Sequence, residues 1–334
     1  YPLPMRKIAT FAAGVKSLFV VEELEPFYEE QIKAAGIEAE GKKYFSNWLE
    51  LNVDRVRDGF IEAGLLDASV KSPNASAERE EVLPRPPVLC SGCPHRGIMV
   101  AMKKLKLYTT GDIGCYTLGA LPPLSQIDTC LCMGASIGHA FGITRAGKTG
   151  GKVVSLIGDS TFLHSGITSL ASAVYNKANT TNIIVDNRIT AMTGGQDHPG
   201  TSRTLMGEET HAVDLKEICR AVGVEHVREV DPYDLEETMT ALREETERDA
   251  PSVVITNRPC MLFPKKIKDA PYKVLLEKCI ACGLCFSVGC PSISASDEKN
   301  KKGKPKAEID PVTCTGCTIC VQVCNSGAIV PLEQ

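Results

Sequence analysis

Eight of the chain's fifteen cysteines fall between positions 279 and 324, in two runs whose spacing restricts the chemistry they can do. Cys279, Cys282, Cys285 and Cys290 read C-x2-C-x2-C-x4-C-P, and Cys314, Cys317, Cys320 and Cys324 read C-x2-C-x2-C-x3-C. A structural zinc site pairs two CxxC hooks from separate segments. A third cysteine one short step further on suits a cubane instead, whose irons take neighbouring thiolates from one loop. Two such loops form an internal repeat and imply two [4Fe-4S] clusters, which store and pass single electrons. Zinc sites and disulfides fit these spacings poorly.

The runs resemble bacterial-type ferredoxins, in which the fourth cysteine of each run ligates the other cluster. The resemblance implies one cluster on Cys279, Cys282, Cys285 and Cys324, and a second on Cys314, Cys317, Cys320 and Cys290. Two departures stand out: the x4 gap before Cys290, and Asn325 where a proline usually follows the last cysteine. The segment between the runs, EKNKKGKPK, is rich in lysine. It is either a solvated loop or a docking site for an acidic ferredoxin.

Clusters of this kind cannot generate electrons, so the rest of the chain must supply them. With 334 residues, 43% hydrophobic composition and a net charge of −4, the chain has room for two or three domains with a substantial core. No apolar run approaches the roughly 18 to 20 residues of a membrane span, and no signal segment opens the chain. The expectation is a cytoplasmic protein that binds neither nucleic acid nor membrane. The cysteine count fits metal or redox chemistry in a reducing compartment.

Residues 152–187 read as strand, turn, helix, strand. Val153–Ile157 and Ile183–Val185 are short apolar runs suited to buried parallel strands, and Ile167, Leu170, Ala171 and Val174 recur at helical spacing between them. This predicts a βαβ unit with Gly158-Asp159-Ser160 at the carboxyl end of its first strand, where ligands bind in doubly wound sheets. Asn187 follows Asp159 by 28 residues, at the end of the next strand. Together they offer a carboxylate and an amide oxygen to a hard cation such as Mg2+. An isolated Asp at a strand end can equally be a helix cap. The pattern resembles the thiamine-diphosphate-binding motif, which implies Asp159, Asn187 and the backbone carbonyl of Ile189 as Mg2+ ligands.

Three more stretches widen the resemblance: DNRITAMTGGQDHPGT at 186–201, CLCMGASIGHAFGITRA at 130–146 and CSGCPHRG at 90–97. With the opening SLFVVEELEPFYEEQIK and the x4 gap, they make the whole chain similar to large subunits of the indolepyruvate:ferredoxin oxidoreductases, within the 2-oxoacid:ferredoxin oxidoreductases. The resemblance implies oxidative decarboxylation of aryl pyruvates with coenzyme A to aryl-acetyl-CoA and carbon dioxide, with electrons passed singly to ferredoxin. It further implies a smaller partner (beta) subunit, and a pyrimidine domain with an activating carboxylate that has no counterpart here, so the chain alone is expected to be inactive. Ser160 and the Gly194-Gly195 backbone are expected near the diphosphate, and His95 and His164, ahead of His198, on the substrate side. Pyruvate or another 2-oxoacid is the alternative substrate. A non-catalytic electron-transfer subunit is the alternative role.

Cys90 and Cys93 form a further CxxC pair. Related small-subunit enzymes add a third cysteine in a glycine-rich turn and a fourth after a late strand. Cys115 and Cys260 match that layout, so these four are either the ligands of a third cluster or buried thiols. Cys130, Cys132 and Cys219 carry no expected metal role. The expected organisation is α/β. Residues 1–70 form the tail of a transketolase C-terminal-like domain, with a strand at SLFVVEEL and amphipathic helices, and 71–87 form a polar, proline-rich linker. Residues 88–268 form a thiamine-diphosphate-binding domain built on a doubly wound parallel sheet, and 271–334 a small α+β ferredoxin-like domain.

Overall fold

The computed structural model describes residues 2–70, 82–147, 152–263 and 269–332. They divide into two compact units, one ending at Pro84 and the other beginning at Arg85. Most of the expected linker, residues 71–81, and the stretch 264–268 lie outside the described residues.

The first unit carries helices α1 (Met5–Ala12), α2 (Phe27–Ala34) and α3 (Val53–Glu62). The strand expected at Ser17–Leu24 does not form: Phe19 makes one isolated bridge to Glu40. Its hydrogen bonds run from Val20 N–H to the Glu40 carbonyl (2.8 Å) and from Glu40 N–H to the Leu18 carbonyl (2.9 Å). A lone pair of extended segments is marginal without further strands to share its faces. The chain turns away because the Glu22 carboxylate accepts the Tyr28 and Glu29 N–H groups at 2.8 and 2.9 Å, satisfying donors in the first turn of α2. Val20, Ile32 and Ala39 form a small core here.

The second unit runs, in chain order, α4 (His95–Leu105), β1 (Tyr108–Gly111), β2 (Thr129–Cys130), α5 (Ser136–Ala146) and β3 (Val153–Gly158). A short α6 (Asp159–Thr161), a π-turn and α7 (Ile167–Tyr175) then lead to β4 (Thr181–Asp186), α8 (Leu215–Ala221), β5 (His226–Val230), α9 (Leu235–Glu247) and β6 (Ser252–Asn257). The six strands form one parallel sheet in the order β2-β1-β3-β4-β6-β5. Every residue of β3 and β4 is buried, as the two apolar runs required. Alternation sorts them between two cores. Val154, Leu156, Ile183, Val185 and Val254 face a core shared with α4 and α9, whereas Ile157, Ile184, Val253 and Ile255 pack with α5, α7 and α8. On α7, Leu170 and Ala173 are fully buried.

The chain leaves β1 towards one edge of the sheet and β3 towards the other. A crevice therefore opens between the carboxyl ends of these two strands, the position at which open α/β sheets bind ligands. Asp112, directly after β1, is fully buried and accepts the Gly134 N–H at 2.8 Å and the Ser136 N–H at 3.2 Å. It ties the loop after β1 to the start of α5 and so fixes one wall of the crevice.

Two short antiparallel pairs follow. β7 (Tyr272–Val274) pairs with β10 (Ile329–Pro331), and β8 (Ile293–Lys299) pairs with β9 (Pro305–Ile309), with α10 (Ile319–Gln322) between the pairs. The lysine-rich segment is the turn of the β8–β9 hairpin. The cysteine-rich module shares a core with the sheet domain, since Val288, Ile319 and Val323 pack in the cluster containing Ile98, Met102 and Leu242. Polar ties add to this. Gln322 accepts the Leu235 N–H at 2.9 Å and donates to the Tyr233 carbonyl at 2.6 Å, and the Ser91 and Ser292 hydroxyls meet at 2.7 Å. Among the described residues no helix is long and apolar enough to cross a membrane.

Candidate functional site

The crevice holds a cavity of about 100 Å³ lined by Ile113–Tyr116 after β1, Gly158–Thr161 after β3, Asn187 and Ile189–Thr193 after β4, and His95 at the start of α4. Asp159, Asn187, Ile189, Ser160 and His95 are thus brought together. The Asp159 carboxylate accepts the Ser160 N–H at 2.8 Å and the Arg188 N–H at 2.9 Å, which locks the end of β3 to the loop after β4. Burial works to raise the Asp159 carboxyl, but the neighbouring His198 imidazole and the hydrogen bonds from Asp186 and the Ser160 N–H outweigh it and hold it low. Asp186 bears the converse. Burial, then the Asp159 charge beside it, pushes its carboxyl up to about 7.

The Asp159 carboxylate and the Asn187 amide, which both line the crevice with Ile189, form a donor set suited to a divalent cation. This donor set fits a metal-bound diphosphate. His198 is buried, its Nδ1 accepting the Gly200 N–H at 3.2 Å and its Nε2 standing 3.2 Å from Asp159 Oδ2, off the line of a hydrogen bond. It does not line the crevice: with Asp186 and Arg188 it lines a neighbouring cavity of about 210 Å³. Among the described residues, no three His, Cys, Asp or Glu side chains converge on a single ion.

His95 is buried, its Nε2 3.4 Å from Asn187 Nδ2 and its ring edge-on to Tyr116 at 5.8 Å. Burial lowers its pKa to about 4, against a smaller opposing pull from Asp159. It is neutral at physiological pH and offers hydrogen bonds rather than charge. His164, by contrast, is exposed in the π-turn and lines none of these cavities. Gly194 and Gly195, at φ +117° and +83°, shape the tight turn that closes residues 190–196, and the lining of the cavity stops at Thr193.

A further cavity, also of about 210 Å³, adjoins that of the crevice. Cys90, Cys93, Cys115 and Cys260 all line it, together with His95, Asn187, Ala191, Met192 and apolar side chains. His95, Cys115, Asn187, Ala191 and Met192 border both spaces, so the two share a wall. Burial pushes the Cys93 thiol up to about 12 and raises Cys115 as well. Thiols held protonated have no use as nucleophiles, but four in one cavity fit a cluster whose irons supply the compensating charge.

In the cysteine-rich module, Cys279, Cys282, Cys285 and Cys324 line one cavity, which is the crossed set implied by the bacterial ferredoxin pattern. Cys317 and Cys320 each lie within electrostatic reach of Cys290 and Cys314. The two sets differ in depth. Cys290 and Cys317 pack against the core of the sheet domain alongside Cys115, whereas Cys282 is exposed and Ile280, beside it, is 58% exposed. Cys219 is buried in the second core, and Cys130 and Cys132 are exposed.

Four residues that position the site have little signature in the sequence: Asp112, Asp186, Arg96 and Tyr233. Asp186 was readable in principle, as a carboxylate next to the Asn of the motif. Arg96 and Tyr233 gain their roles only through residues far along the chain: Arg96 bonds to the loop before Cys290, and the Tyr233 hydroxyl donates to the Gly92 carbonyl between Cys90 and Cys93.

Residues 112–256 match the family described as "Thiamine pyrophosphate enzyme, C-terminal TPP binding domain", and residues 278–328 match "4Fe-4S dicluster domain". The chain is 38% identical to the indolepyruvate oxidoreductase subunit IorA of Pyrococcus horikoshii, over 100% of this chain and 56% of that protein. It is also 38% identical to the subunit of the same name from Methanothermobacter marburgensis, over 99% of this chain and 54% of that protein. The chain thus spans about half the length of these curated relatives. Among solved structures, a 2-oxoglutarate:ferredoxin oxidoreductase from Magnetococcus marinus is similar, with a TM-score of 0.47 and 20% identity over 54% of this chain and 67% of that one. With both domain types present and the whole of this chain matched to about half of each IorA subunit, the chain belongs to the indolepyruvate oxidoreductase subunit IorA family.

Proposed function

We propose that the chain is the cofactor-bearing part of a thiamine-diphosphate-dependent 2-oxoacid:ferredoxin oxidoreductase acting on aryl pyruvates, with coenzyme A as acyl acceptor and ferredoxin as electron acceptor. The observation that carries this reading is the wall shared by the Asp159–Asn187 cavity and the four-cysteine cavity. Electrons released in the first have a one-electron acceptor site directly beside them.

In this reading Asp159, Asn187 and the Ile189 carbonyl hold Mg2+ and, through it, the diphosphate. Ser160, whose hydroxyl accepts from Thr190 Oγ1 at 2.9 Å, stands at the same end. Thiamine diphosphate, when bound, supplies the decarboxylation and the holding of the electrons it releases. His95, kept neutral by burial, positions substrate or cofactor through hydrogen bonds, and Tyr116 packed edge-on against it keeps the imidazole in one orientation. The apolar walls, Leu118, Met192, Met261 and Phe263, exclude water from the region between the two cavities.

The three cysteine sets then serve electron transfer in turn: Cys90, Cys93, Cys115 and Cys260 against the thiamine cavity; Cys290, Cys314, Cys317 and Cys320 at the junction with the sheet domain; Cys279, Cys282, Cys285 and Cys324 beside the lysine-rich hairpin. The lysine-rich hairpin turn lies at the last of these, since Asn300 Nδ2 donates to the Ile280 carbonyl at 3.1 Å. That placement favours the docking role, with an acidic ferredoxin as the partner.

The test is anoxic viologen reduction by the complete complex with thiamine diphosphate, Mg2+ and coenzyme A, comparing indolepyruvate, phenylpyruvate and pyruvate. Faster turnover of the aryl substrates that depends on coenzyme A supports the reading. Preference for pyruvate overturns the substrate, and no turnover on any of them, with thiamine bound and clusters full, turns the protein into an electron carrier.

A further inference from the structure

Arg96 has the largest side chain among the fully buried residues, 1% exposed. Its guanidinium makes four hydrogen bonds, all to backbone carbonyls. Nη2 donates to Leu89 (2.7 Å) and Cys90 (2.9 Å), on the loop of the first cysteine pair. Nη1 donates to Val288 (2.8 Å) and Gly289 (2.6 Å), on the loop that delivers Cys290. One side chain thus clamps together loops from two different cysteine sets. The third donor, Nε, has no partner.

Among the described residues no carboxylate lies within ion-pair distance of this cation. Burying a charge without a counter-charge is costly, and neutral carbonyls meet only part of that cost. An anion is needed nearby, and two thiols lie within its electrostatic reach: Cys93 on one side and Cys317 on the other. Four thiolates around a cubane carry net negative charge, so two metallated sets would provide what the guanidinium lacks, with sulfur acceptors for the spare Nε donor.

We propose that Arg96 is a positioning residue for electron transfer, which holds the Cys90–Cys93 and Cys290 loops at fixed separation and supplies one positive charge to both flanking clusters. The proposal rests on the reading of Cys90, Cys93, Cys115 and Cys260 as cluster ligands. A positive charge in a water-poor site favours the more negative, reduced form of each cluster, so Arg96 raises both potentials. The Cys279 set, which the clamp does not touch, is left unaffected.

The test uses the complete complex purified without oxygen, as wild type, R96Q and R96K, with iron analysis and redox titration followed by electron paramagnetic resonance. About twelve irons per chain are expected in wild type. In R96Q, two of three cluster signals become harder to reduce, the reduced-to-oxidised ratio at the wild-type midpoint falling roughly tenfold, equivalent to about 59 mV for a one-electron couple. The third signal stays put, and R96K restores the first two. Unshifted potentials in R96Q at full iron, or an equal shift of all three signals, overturn the proposal. Where R96Q does not retain its clusters, R96K decides: wild-type potentials support the role of the charge, and lowered potentials at full iron refute it. A wild-type complex with about eight irons per chain instead overturns the cluster reading beneath it.

Discussion

Gly92 is the point at which two cysteine loops touch, and its replacement by alanine tests that contact quantitatively. A Cβ on Gly92 would lie 2.1 Å from Thr315 Oγ1, 3.1 Å from Thr315 Cβ and 3.2 Å from Met261 Cε, and the backbone φ there is +66°. The positive φ costs a non-glycine residue about 1–2 kcal/mol. Overpacking adds about 1–3 kcal/mol, because Thr315 is buried and cannot move far. Thr315 Oγ1 has no hydrogen-bond partner, so turning it aside sacrifices no bond, while the contact with its Cβ persists. The sum, about 2–5 kcal/mol, corresponds to a fall of roughly 4 to 20 °C in unfolding temperature for a unit of this size. Gly303 is the control, with φ +74° and nothing within 4 Å, so G303A bears the backbone cost alone. The assay is anoxic thermal loss of cluster absorbance at fixed scan rate in the wild type, G92A, G303A and G92A/T315G. The expected order is wild type, then G303A and the double variant, then G92A lowest. If G92A is no worse than G303A, or if removing the Thr315 side chain recovers nothing, the loops are not in contact as described.

Further outcomes follow from the same geometry. D159N and N187A each weaken Mg2+-dependent thiamine diphosphate binding by calorimetry at least tenfold, about 1.4 kcal/mol, while H164A leaves it unchanged because His164 faces solvent. Charge reversal at Lys301, Lys302 and Lys304, all exposed on the β8–β9 turn, raises the KM for ferredoxin and flattens its salt dependence but leaves viologen reduction intact. In the metal-free protein the Asp186 carboxyl is raised from 3.8 to about 7. Its proton therefore stabilises the fold fully below about pH 4, and that stabilisation is lost as pH rises towards 7. D186N should flatten the pH dependence of thermal unfolding in this window, and an unchanged profile would exclude Asp186 as its source.

The parts legible in the sequence were those encoded locally. Apolar runs such as Val153–Ile157 have one stable solution, a strand covered on both faces, and the structure extends that run by one residue, to Gly158. The cysteine runs announced themselves by spacing, since one loop must present three thiols to one cluster. Roles that depend on distant parts of the chain were not legible. The clamp made by Arg96 joins positions almost two hundred apart, and in the sequence it is only an arginine after a histidine. His198 ranked below His164 on motif context, yet it is His198 that folds back against Asp159. The segment Ser17–Leu24 has the composition of a strand, but β structure needs a partner, and only Glu40 meets it.

The central claim is that the four-cysteine cavity receives electrons from the adjoining thiamine cavity and passes them to the two clusters of the ferredoxin-like module. The most direct measurement is rapid-freeze electron paramagnetic resonance of the complete complex, mixed with indolepyruvate, thiamine diphosphate and Mg2+, for the wild type and C260S. In the wild type, substrate should reduce the clusters. In C260S, with about four irons lost, dithionite should still reduce the remaining two clusters while substrate reduces them far more slowly. Reduction of those clusters by substrate at the wild-type rate in C260S would contradict the account.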